Sequence, residues 1–312
     1  MLRRGLLWLS EQQQVFNFVR RNRLAKRFAS RFVAGETADD GARAAESLAQ
    51  RGIMATLDLL GESVHKAEAS EAAAAQYVAL LERMARSPGI EVNASVKLTQ
   101  MGFDIDDDLC FRNVSRILDR ARDLNGFVRI DMESSAHTQR TLDFFSQRLL
   151  PVYGTGRVGV VIQSALRRST EDVKRLILLG ARVRLCKGAY LEPPEVAFPD
   201  KADVDRHYVE LMERLLREGN GPALATHDEA IVEAARQFAA REGIPPERYE
   251  FQMLYGIRRD LQERLRGAGH RVRVYIPFGT QWYPYLMRRL AERPANIAFI
   301  LGNVLREGTV RR

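Results

Sequence analysis

Four polar side chains near the C-terminal end recur at helical spacing and could hold a planar anion. Tyr285, Arg288, Arg289 and Glu292 fall at positions that share one face of a helix. Two adjacent guanidinium groups, with a phenol one turn earlier, form a fork that suits a carboxylate or a phosphate. The alternative is a solvent-exposed helix face on which Arg288 pairs with Glu292.

This helix follows a strand, and the same order of elements recurs through most of the chain. We predict a strand from Arg271 to Ile276, a turn through Pro277 and Gly279, and a helix from Trp282 to Glu292. Apolar, strand-like runs are predicted to end near Leu57, Val96, Ile130, Ile162, Leu185, Ala225, Phe251 and Val274. The other helical patterns are Glu71–Arg86, Leu109–Leu124, Thr138–Leu149, Thr170–Leu179, Asp203–Glu218, Glu229–Arg241 and Arg259–Gly267.

Eight strand–helix units predict an α/β fold, a (β/α)8 TIM-type barrel with extra N-terminal helices and a C-terminal helix. The units occupy about 240 residues, the usual size of such a barrel, and the short apolar strands are typical of parallel strands covered by helices. We expect residues 1–52 to form N-terminal helices that pack on the barrel. Residues 53–312 would form the barrel with a C-terminal helix near residues 295–306.

Nearly every predicted strand finishes on a polar residue, and in this architecture those ends surround one site. The residues are Asp58 followed by Glu62, Lys97, Asp131, Gln163, Arg184 with Lys187, Thr226 with His227, Gln252, and Tyr275. One or two could be turn caps, and Asp58 is interpreted in that way. The ring contains no HExxH or comparable metal-ligand spacing, so we expect no metal site.

Composition limits the other classes of function. The net charge of +8 comes from Lys and Arg that are mixed with acidic residues along the chain, and no nucleic-acid-binding signature is present, so we expect no nucleic-acid partner. Cys110 and Cys186 are too few for a disulfide framework, which indicates a reducing compartment.

Two motif matches and one N-terminal segment have ordinary interpretations. Gly154–Gly159 fits G-x-G-x-x-G but precedes a strand, which is the wrong context for a dinucleotide site. Asp104–Asp108 lacks the glycine and the glutamate of a calcium loop. The segment Gln13–Phe32 fits an amphipathic helix that packs on the main domain, with contact to a membrane surface as the alternative.

The strand-end residues resemble those of the bacterial proline dehydrogenases, the flavin-dependent barrels that also form part of bifunctional proline utilisation proteins. The matching pieces are Ser95-Val-Lys-Leu, Ile130-Asp-Met-Glu, Val161-Ile-Gln, Arg184-Leu-Cys-Lys-Gly-Ala-Tyr190, Ala225-Thr-His, Tyr249-Glu-Phe-Gln252 and Tyr285-Leu-Met-Arg-Arg-Leu-Ala-Glu292. They occur in the family's order across the barrel. Without an aldehyde dehydrogenase or DNA-binding portion, the chain resembles the monofunctional form.

The resemblance implies FAD at the barrel mouth and oxidation of L-proline to Δ1-pyrroline-5-carboxylate. It assigns catalysis to Asp131 and Arg184. Lys97, Arg288 and Arg289 could converge on the proline carboxylate. Asp131 would orient one of these cations.

Arg184 would lie near the flavin, where positive charge stabilises the electron-rich reduced ring. Tyr275 and Tyr285 would form an apolar wall for the pyrrolidine ring, although Tyr275 could instead be a core aromatic residue.

For the cofactor, the resemblance assigns the side chains and backbone at five strand ends. The residues are Met132, Gln163, Arg184, Lys187, Gly188, Ala189, Tyr190, Thr226, His227 and Gln252. Gly188 permits a close approach of the backbone, and Lys187 could face a phosphate. A purely structural role is the alternative for His227.

Further expectations concern the entrance and the partners. Glu62 would pair with Arg288 and close the site over bound substrate. The family implies a quinone-type electron acceptor and a transient partner, pyrroline-5-carboxylate dehydrogenase. We expect a cytoplasmic protein, with peripheral contact to the inner face of the cell membrane left open.

Two other classes of function compete with this interpretation. A flavin barrel of the methylenetetrahydrofolate reductase type would share the architecture and use a nicotinamide donor. A non-catalytic basic scaffold for anionic surfaces would contain no flavin and would leave the polar strand ends unexplained.

Overall fold

A computed structural model describes residues 29–61, 63–283 and 285–287. Eight parallel strands close into a barrel in sequence order, β1 to β8. They are β1 Met54–Leu59, β2 Asn93–Val96, β3 Phe127–Ile130, β4 Val158–Gln163, β5 Arg182–Cys186, β6 Ala223–Ala225, β7 Glu250–Leu254 and β8 Val272–Phe278. β1 pairs with both β2 and β8, so the sheet has no free edge. The predicted (β/α)8 barrel is confirmed.

Helices cover the outside of the barrel, one before β1 and the others between successive strands. They are α1 Ala38–Ala49, α2 Ala67–Ala85, α3 Asp107–Asp123, α4 Ser135–Phe144, α5 Leu150–Tyr153, α6 Ser169–Leu178, α7 Lys201–Glu218, α8 Glu229–Arg241 and α9 Arg259–Gly267. Helix α4 continues through a π-helical turn, Phe145–Leu149, into α5, so the helix predicted to end at Leu149 extends further. Short 3-10 turns lie at Thr99–Met101 and Pro246–Arg248.

Helix α1 precedes the first strand and packs on the barrel wall. Thr37 caps its N-terminus: the hydroxyl accepts a hydrogen bond from the Asp40 backbone N–H, and the Asp40 carboxylate accepts one from the Thr37 N–H. Ala42, Ala45 and Leu48 on this helix are buried. The predicted division at residue 52 stays a prediction.

Strand β8 runs further than its sequence suggests. Pro277, predicted in a turn, belongs to β8 and lies opposite Asp58 in the register with β1. A proline is tolerated here because its carbonyl still accepts a hydrogen bond, from the Ala34 N–H at 2.9 Å. Gly279 donates to the Gly35 carbonyl at 2.9 Å, so the segment before α1 is tied to the end of the strand. Tyr275 therefore lies within the strand and not at its end.

A second apolar cluster lies beside this junction. It contains Ala29, Phe32, Val33, Leu60, Trp282, Tyr283, Tyr285, Leu286 and Met287, all buried. Residues 282, 283 and 285–287 are helical, which agrees with the start of the predicted last helix. Ala29 is helical, whereas residues 30–32 form a turn, so the predicted N-terminal helix ends before Phe32. The remainder of that helix and the predicted C-terminal helix lie outside the described residues.

Candidate active site

Lys97 lies at the centre of a group of polar side chains inside the barrel mouth. Its ammonium group is 2.8 Å from the Asp58 carboxylate, 3.3 Å from the Tyr275 hydroxyl and 3.4 Å from the Asp131 carboxylate. Burial opposes the charged form, but attraction from Asp58, followed by Tyr275 and Asp131, raises the pKa of Lys97 well above its ordinary value. Lys97 is therefore a fixed cation at neutral pH.

Asp131 connects the remaining members of the group. It accepts hydrogen bonds from the Arg184 guanidinium at 2.8 Å and from the Tyr275 hydroxyl at 2.7 Å. β1 and β2 lie between the strands that carry Asp131 and Tyr275, so this contact crosses the barrel interior. Arg184 also donates to the Ser95 hydroxyl at 3.0 Å, and its guanidinium carbon lies 5.3 Å from the Tyr275 ring centroid. The predicted convergence of these residues is observed.

We call Asp58, Lys97, Asp131 and Arg184 the charge quartet. Two carboxylates and two cations alternate within it, so the formal charges cancel when all four groups are ionised. Burial, and then the charges of Asp131 and Asp58, raise the pKa of Tyr275 well above its ordinary value. The phenol therefore stays protonated and serves as a hydrogen-bond donor to Asp131.

The interpretation of Asp58 as a turn cap is wrong. The residue lies within β1, is 1% exposed, and its carboxylate binds the Lys97 ammonium. Tyr77 on α2 supports it from behind: the phenol donates to the Ser95 carbonyl at 2.8 Å and lies 3.5 Å from the Asp58 carboxylate. The strand-end pattern indicated Asp58, but no sequence signal indicated Tyr77.

The ends of β4 and β5 bring two of the predicted cofactor residues together. Gly188 has φ +105°, and a Cβ built on it would lie 2.9 Å from the Gln163 side-chain oxygen. Only glycine adopts this backbone conformation at little cost. The Gln163 side chain is fixed by donating to the Glu133 carbonyl at 2.7 Å. The backbone of Gly188 therefore lies directly against the Gln163 side chain.

Lys187 is held by two carboxylates. Its ammonium lies 2.9 Å from Asp228 and 2.5 Å from Asp205. Lys201 on α7 is 3.5 Å from the same Asp228 carboxylate. The Lys187 ammonium is therefore already paired. A phosphate that binds Lys187, as predicted, would have to compete with Asp205 and Asp228.

The ends of β6 and β7 bring the next three predicted cofactor residues side by side. The Thr226 N–H donates to the Gln252 carbonyl at 3.1 Å. His227 accepts the Leu254 N–H on its Nε2 atom at 2.9 Å, which fixes the ring against β7. This contact holds the His227 ring in place, and both its contact with a cofactor and the purely structural alternative stay predictions.

Two buried polar atoms of predicted cofactor residues have unused hydrogen-bonding capacity. The Arg184 Nε atom and the Gln252 Oε1 atom are buried and have no hydrogen-bond partner among the described residues. A donor and an acceptor left in this state cost free energy, which a ligand with both hydrogen-bonding functions would recover. A flavin ring has both. Met132 is buried on the segment after β3, Ala189 is half-buried, and Tyr190 is exposed.

Several predicted residues cannot be placed. Glu62, Arg288, Arg289 and Glu292 lie outside the described residues. Tyr285 is buried in the second apolar cluster. Within the described ranges, no group of three His, Cys, Asp or Glu side chains could hold a metal ion, and no helix is long and apolar enough to cross a membrane.

Comparison with known proteins gives consistent matches across the chain. A family model described as "Proline dehydrogenase" matches residues 42–301. A protein named "Proline dehydrogenase" from Deinococcus radiodurans is 41% identical over 309 residues, which cover 98% of each chain. "Proline dehydrogenase 1" from Bacillus subtilis is 38% identical over 309 residues, covering 98% of this chain and 100% of the relative.

A solved structure also shares the fold. Proline utilization A from Bdellovibrio bacteriovorus, inactivated by N-propargylglycine, superposes with a TM-score of 0.80 at 26% identity. The match covers 89% of this chain and 34% of that protein, so the chain spans about a third of its length.

Proposed function

This chain belongs to the proline dehydrogenase family, and from that premise we propose that it oxidises L-proline to Δ1-pyrroline-5-carboxylate with FAD as the hydride acceptor. As a member of this family it is an oxidoreductase that acts on proline. The observation that carries the finer proposal is the charge quartet with Tyr275 inside the barrel mouth. It supplies fixed cations for a carboxylate substrate and a wall for its ring.

Substrate binding is assigned to one cation that follows β2 and to two cations that follow β8 in the sequence. Lys97, held by Asp58, would contact the proline carboxylate together with Arg288 and Arg289. Tyr275 and Tyr285 would line the pyrrolidine ring. Because Lys97 is already balanced by carboxylates, the site tolerates its charge before substrate arrives.

The cofactor residues would come from β3 to β7. Bound FAD would accept a hydride from the carbon next to the ring nitrogen of proline. Arg184, ordered by Asp131 and Ser95, would present positive charge to the flavin ring. Gly188 and Ala189 would give backbone contacts.

Side chains of the remaining assigned residues would complete the cofactor site. Met132, Gln163, Lys187, Tyr190, Thr226, His227 and Gln252 would surround the cofactor. For Lys187, that role requires a phosphate to share or displace the Asp205 and Asp228 contacts.

An absorbance spectrum of the purified protein tests the proposal. We expect flavin bands that bleach when L-proline is added without oxygen, and recover when an acceptor is supplied. Bands that bleach with NADH but not with proline would favour the methylenetetrahydrofolate reductase type. A protein that binds no flavin after incubation with FAD would leave only the barrel, as the basic-scaffold alternative requires.

A quinone is the proposed electron acceptor, and the product would pass to a pyrroline-5-carboxylate dehydrogenase. We propose a cytoplasmic location with peripheral contact to the inner face of the membrane, through the basic N-terminal segment. Reoxidation of the proline-reduced protein by a short-chain quinone, faster with anionic vesicles present, would support this. Equal rates with anionic and neutral vesicles would argue against the membrane contact.

A further inference from the structure

Arg129, in the middle of the barrel, is a buried cation that the proposed reaction does not use. The residue is 2% exposed, and its guanidinium donates to the carbonyls of Arg182 at 2.6 Å and Val160 at 3.5 Å. Its Nε atom is buried without a partner, and no carboxylate lies within ion-pair distance of Arg129 in the described part of the chain. A buried charge in this state is costly.

The neighbouring strand makes room for this charge. Gly159 is the register partner of Arg129 on β4, and a Cβ built there would lie 2.7 Å from the guanidinium. Phe127 lies alongside, with its ring centroid 4.9 Å from the guanidinium carbon. An apolar side chain of similar volume would fill the space at a lower desolvation cost. Stability alone therefore does not account for the arginine.

The position of Arg129 links it to the charge quartet. It occupies the inward position on β3 immediately deeper than Asp131. Its register partner on β2, Ser95, accepts a hydrogen bond from Arg184. Burial, and then repulsion from Arg184 and Arg182, lower the pKa of Arg129, yet a guanidinium remains protonated inside proteins.

We propose that Arg129 is an electrostatic tuning residue whose fixed positive charge, below the charge quartet, makes a flavin bound at the mouth easier to reduce. The proposal rests on the proposed function. The reduced ring is richer in electrons than the oxidised ring, so a nearby fixed cation stabilises the reduced form more. The effect is carried through the buried interior, where charges are weakly screened.

Arg182 provides a matched control. Its guanidinium carbon lies 4.4 Å from the same Phe127 ring, but the residue is half-buried at the start of β5. Arg182→Met therefore removes one positive charge and one contact with the Phe127 ring, as Arg129→Met does, but at a position further from the barrel mouth. Arg129→Lys keeps the charge. Arg129→Gln loses the charge but keeps an N–H donor for the Arg182 carbonyl, and replaces Arg129→Met if that variant does not fold.

The experiment is an equilibrium reduction of the flavin-loaded proteins against a reference dye. We expect Arg129→Met, or Arg129→Gln, to lower the equilibrium constant for flavin reduction at least tenfold, about 30 mV for a two-electron couple. Arg129→Lys should stay within about threefold of wild type, and Arg182→Met should change less than Arg129→Met.

Three outcomes separate the inference from its premise. Flavin-loaded Arg129→Met with the wild-type reduction equilibrium would overturn the role of Arg129, even if the variant melts at a lower temperature. A shift of equal size in Arg182→Met would also overturn it, because position would then not matter. A wild-type protein that binds no flavin would instead remove the proposed function.

Discussion

The Asp58 carboxylate on β1 lies 2.8 Å from the ammonium of Lys97, the residue that directly follows the neighbouring strand β2. Asp58 is 1% exposed, whereas the Lys97 side chain keeps 16% of its surface. The acid is thus fully enclosed and the cation faces the space where a ligand would bind. Asp58 therefore determines where the charge of Lys97 is held.

We expect Asp58→Asn to lower kcat/KM for proline by about 30-fold, equivalent to about 2 kcal/mol. The loss follows because Lys97 would shift towards Asp131 and compete with Arg184 for that carboxylate. Steady-state rates with a dye acceptor measure the effect. Asp172→Asn is the matched control, since Asp172 pairs with Arg168 on the outer helix α6. Equal losses in the two variants would contradict the role of Asp58.

Tyr275→Phe should reduce kcat/KM by about fivefold to tenfold, the usual worth of one buried hydrogen bond. The hydroxyl donates to Asp131 at 2.7 Å and accepts from Lys97 at 3.3 Å, so its removal loosens both groups. Tyr153→Phe removes a phenol that bonds the Ser115 carbonyl and Asp119 on the outside of the barrel, and should leave the rate unchanged. A Tyr275→Phe protein with wild-type kinetics would make this residue a core aromatic.

The order and the number of strands and helices could be predicted from the sequence. The strands pack against the helices, so each strand appears in the sequence as a short apolar run between two helical patterns. α8 and α9 begin and end as the pattern predicts. The alternating polar positions were harder to interpret. Strands described as apolar carry Arg129, Glu250 and Arg273 on their inward face, all nearly fully buried. Their burial depends on partners from other strands, such as Glu250 on β7 for Arg273 on β8, which a single strand's sequence does not reveal.

The candidate site shows the same limit. Strand ends located Lys97, Asp131 and Arg184, because parallel strands of a barrel all end at one mouth. Asp58 lies inside β1 because the strand pairs with β2 and β8. The local sequence does not show this pairing, so Asp58 was wrongly interpreted as a turn cap. Tyr77 reaches the site from a helix, where no strand pattern applies.

Gly188→Ala should weaken FAD binding at least tenfold. The alanine would be strained at φ +105°, and its methyl group would lie 2.9 Å from the Gln163 oxygen, so the loop must move away from the mouth. Fluorescence titration of the flavin-free protein with FAD measures the affinity. Gly243→Ala is a suitable control, because it has φ +67° and nothing within 4 Å of its Cβ. Unchanged FAD affinity in Gly188→Ala would exclude close cofactor contact at this loop.

Glu62→Ala should raise the KM for proline, because we expect Glu62 to close the site by pairing with Arg288. The chain on both sides of it is anchored: the Leu60 N–H donates to the Phe278 carbonyl at 2.8 Å, and the Ser63 N–H donates to the Thr99 hydroxyl at 3.0 Å. Glu62→Gln keeps the shape and removes the charge, so it should resemble alanine if the ion pair matters. An unchanged KM in both variants would contradict the gate.

Acid should weaken the lower part of the barrel through Glu250. Burial opposes its ionisation, but the Arg273 guanidinium at 3.0 Å outweighs burial and lowers the pKa of Glu250 from 4.5 to about 2. A lowered carboxyl pKa contributes stability above the unfolded value, and this contribution is lost as the pH falls through the folded value. The difference corresponds to about 3 kcal/mol in the free energy of unfolding.

Glu250→Gln should therefore be less stable than wild type by about 3 kcal/mol at pH 7, since Arg273 would lose its buried partner. The gap should begin to close below pH 4.5 and disappear below pH 2, where the wild-type carboxyl also becomes neutral. Urea unfolding, followed by circular dichroism from pH 7 to pH 2, measures the stability difference and its dependence on pH. Glu233→Gln, which breaks an exposed pair with Arg236, should stay within about 0.5 kcal/mol of wild type. A gap that does not change with pH would mean that Glu250 acts through packing and not through its charge.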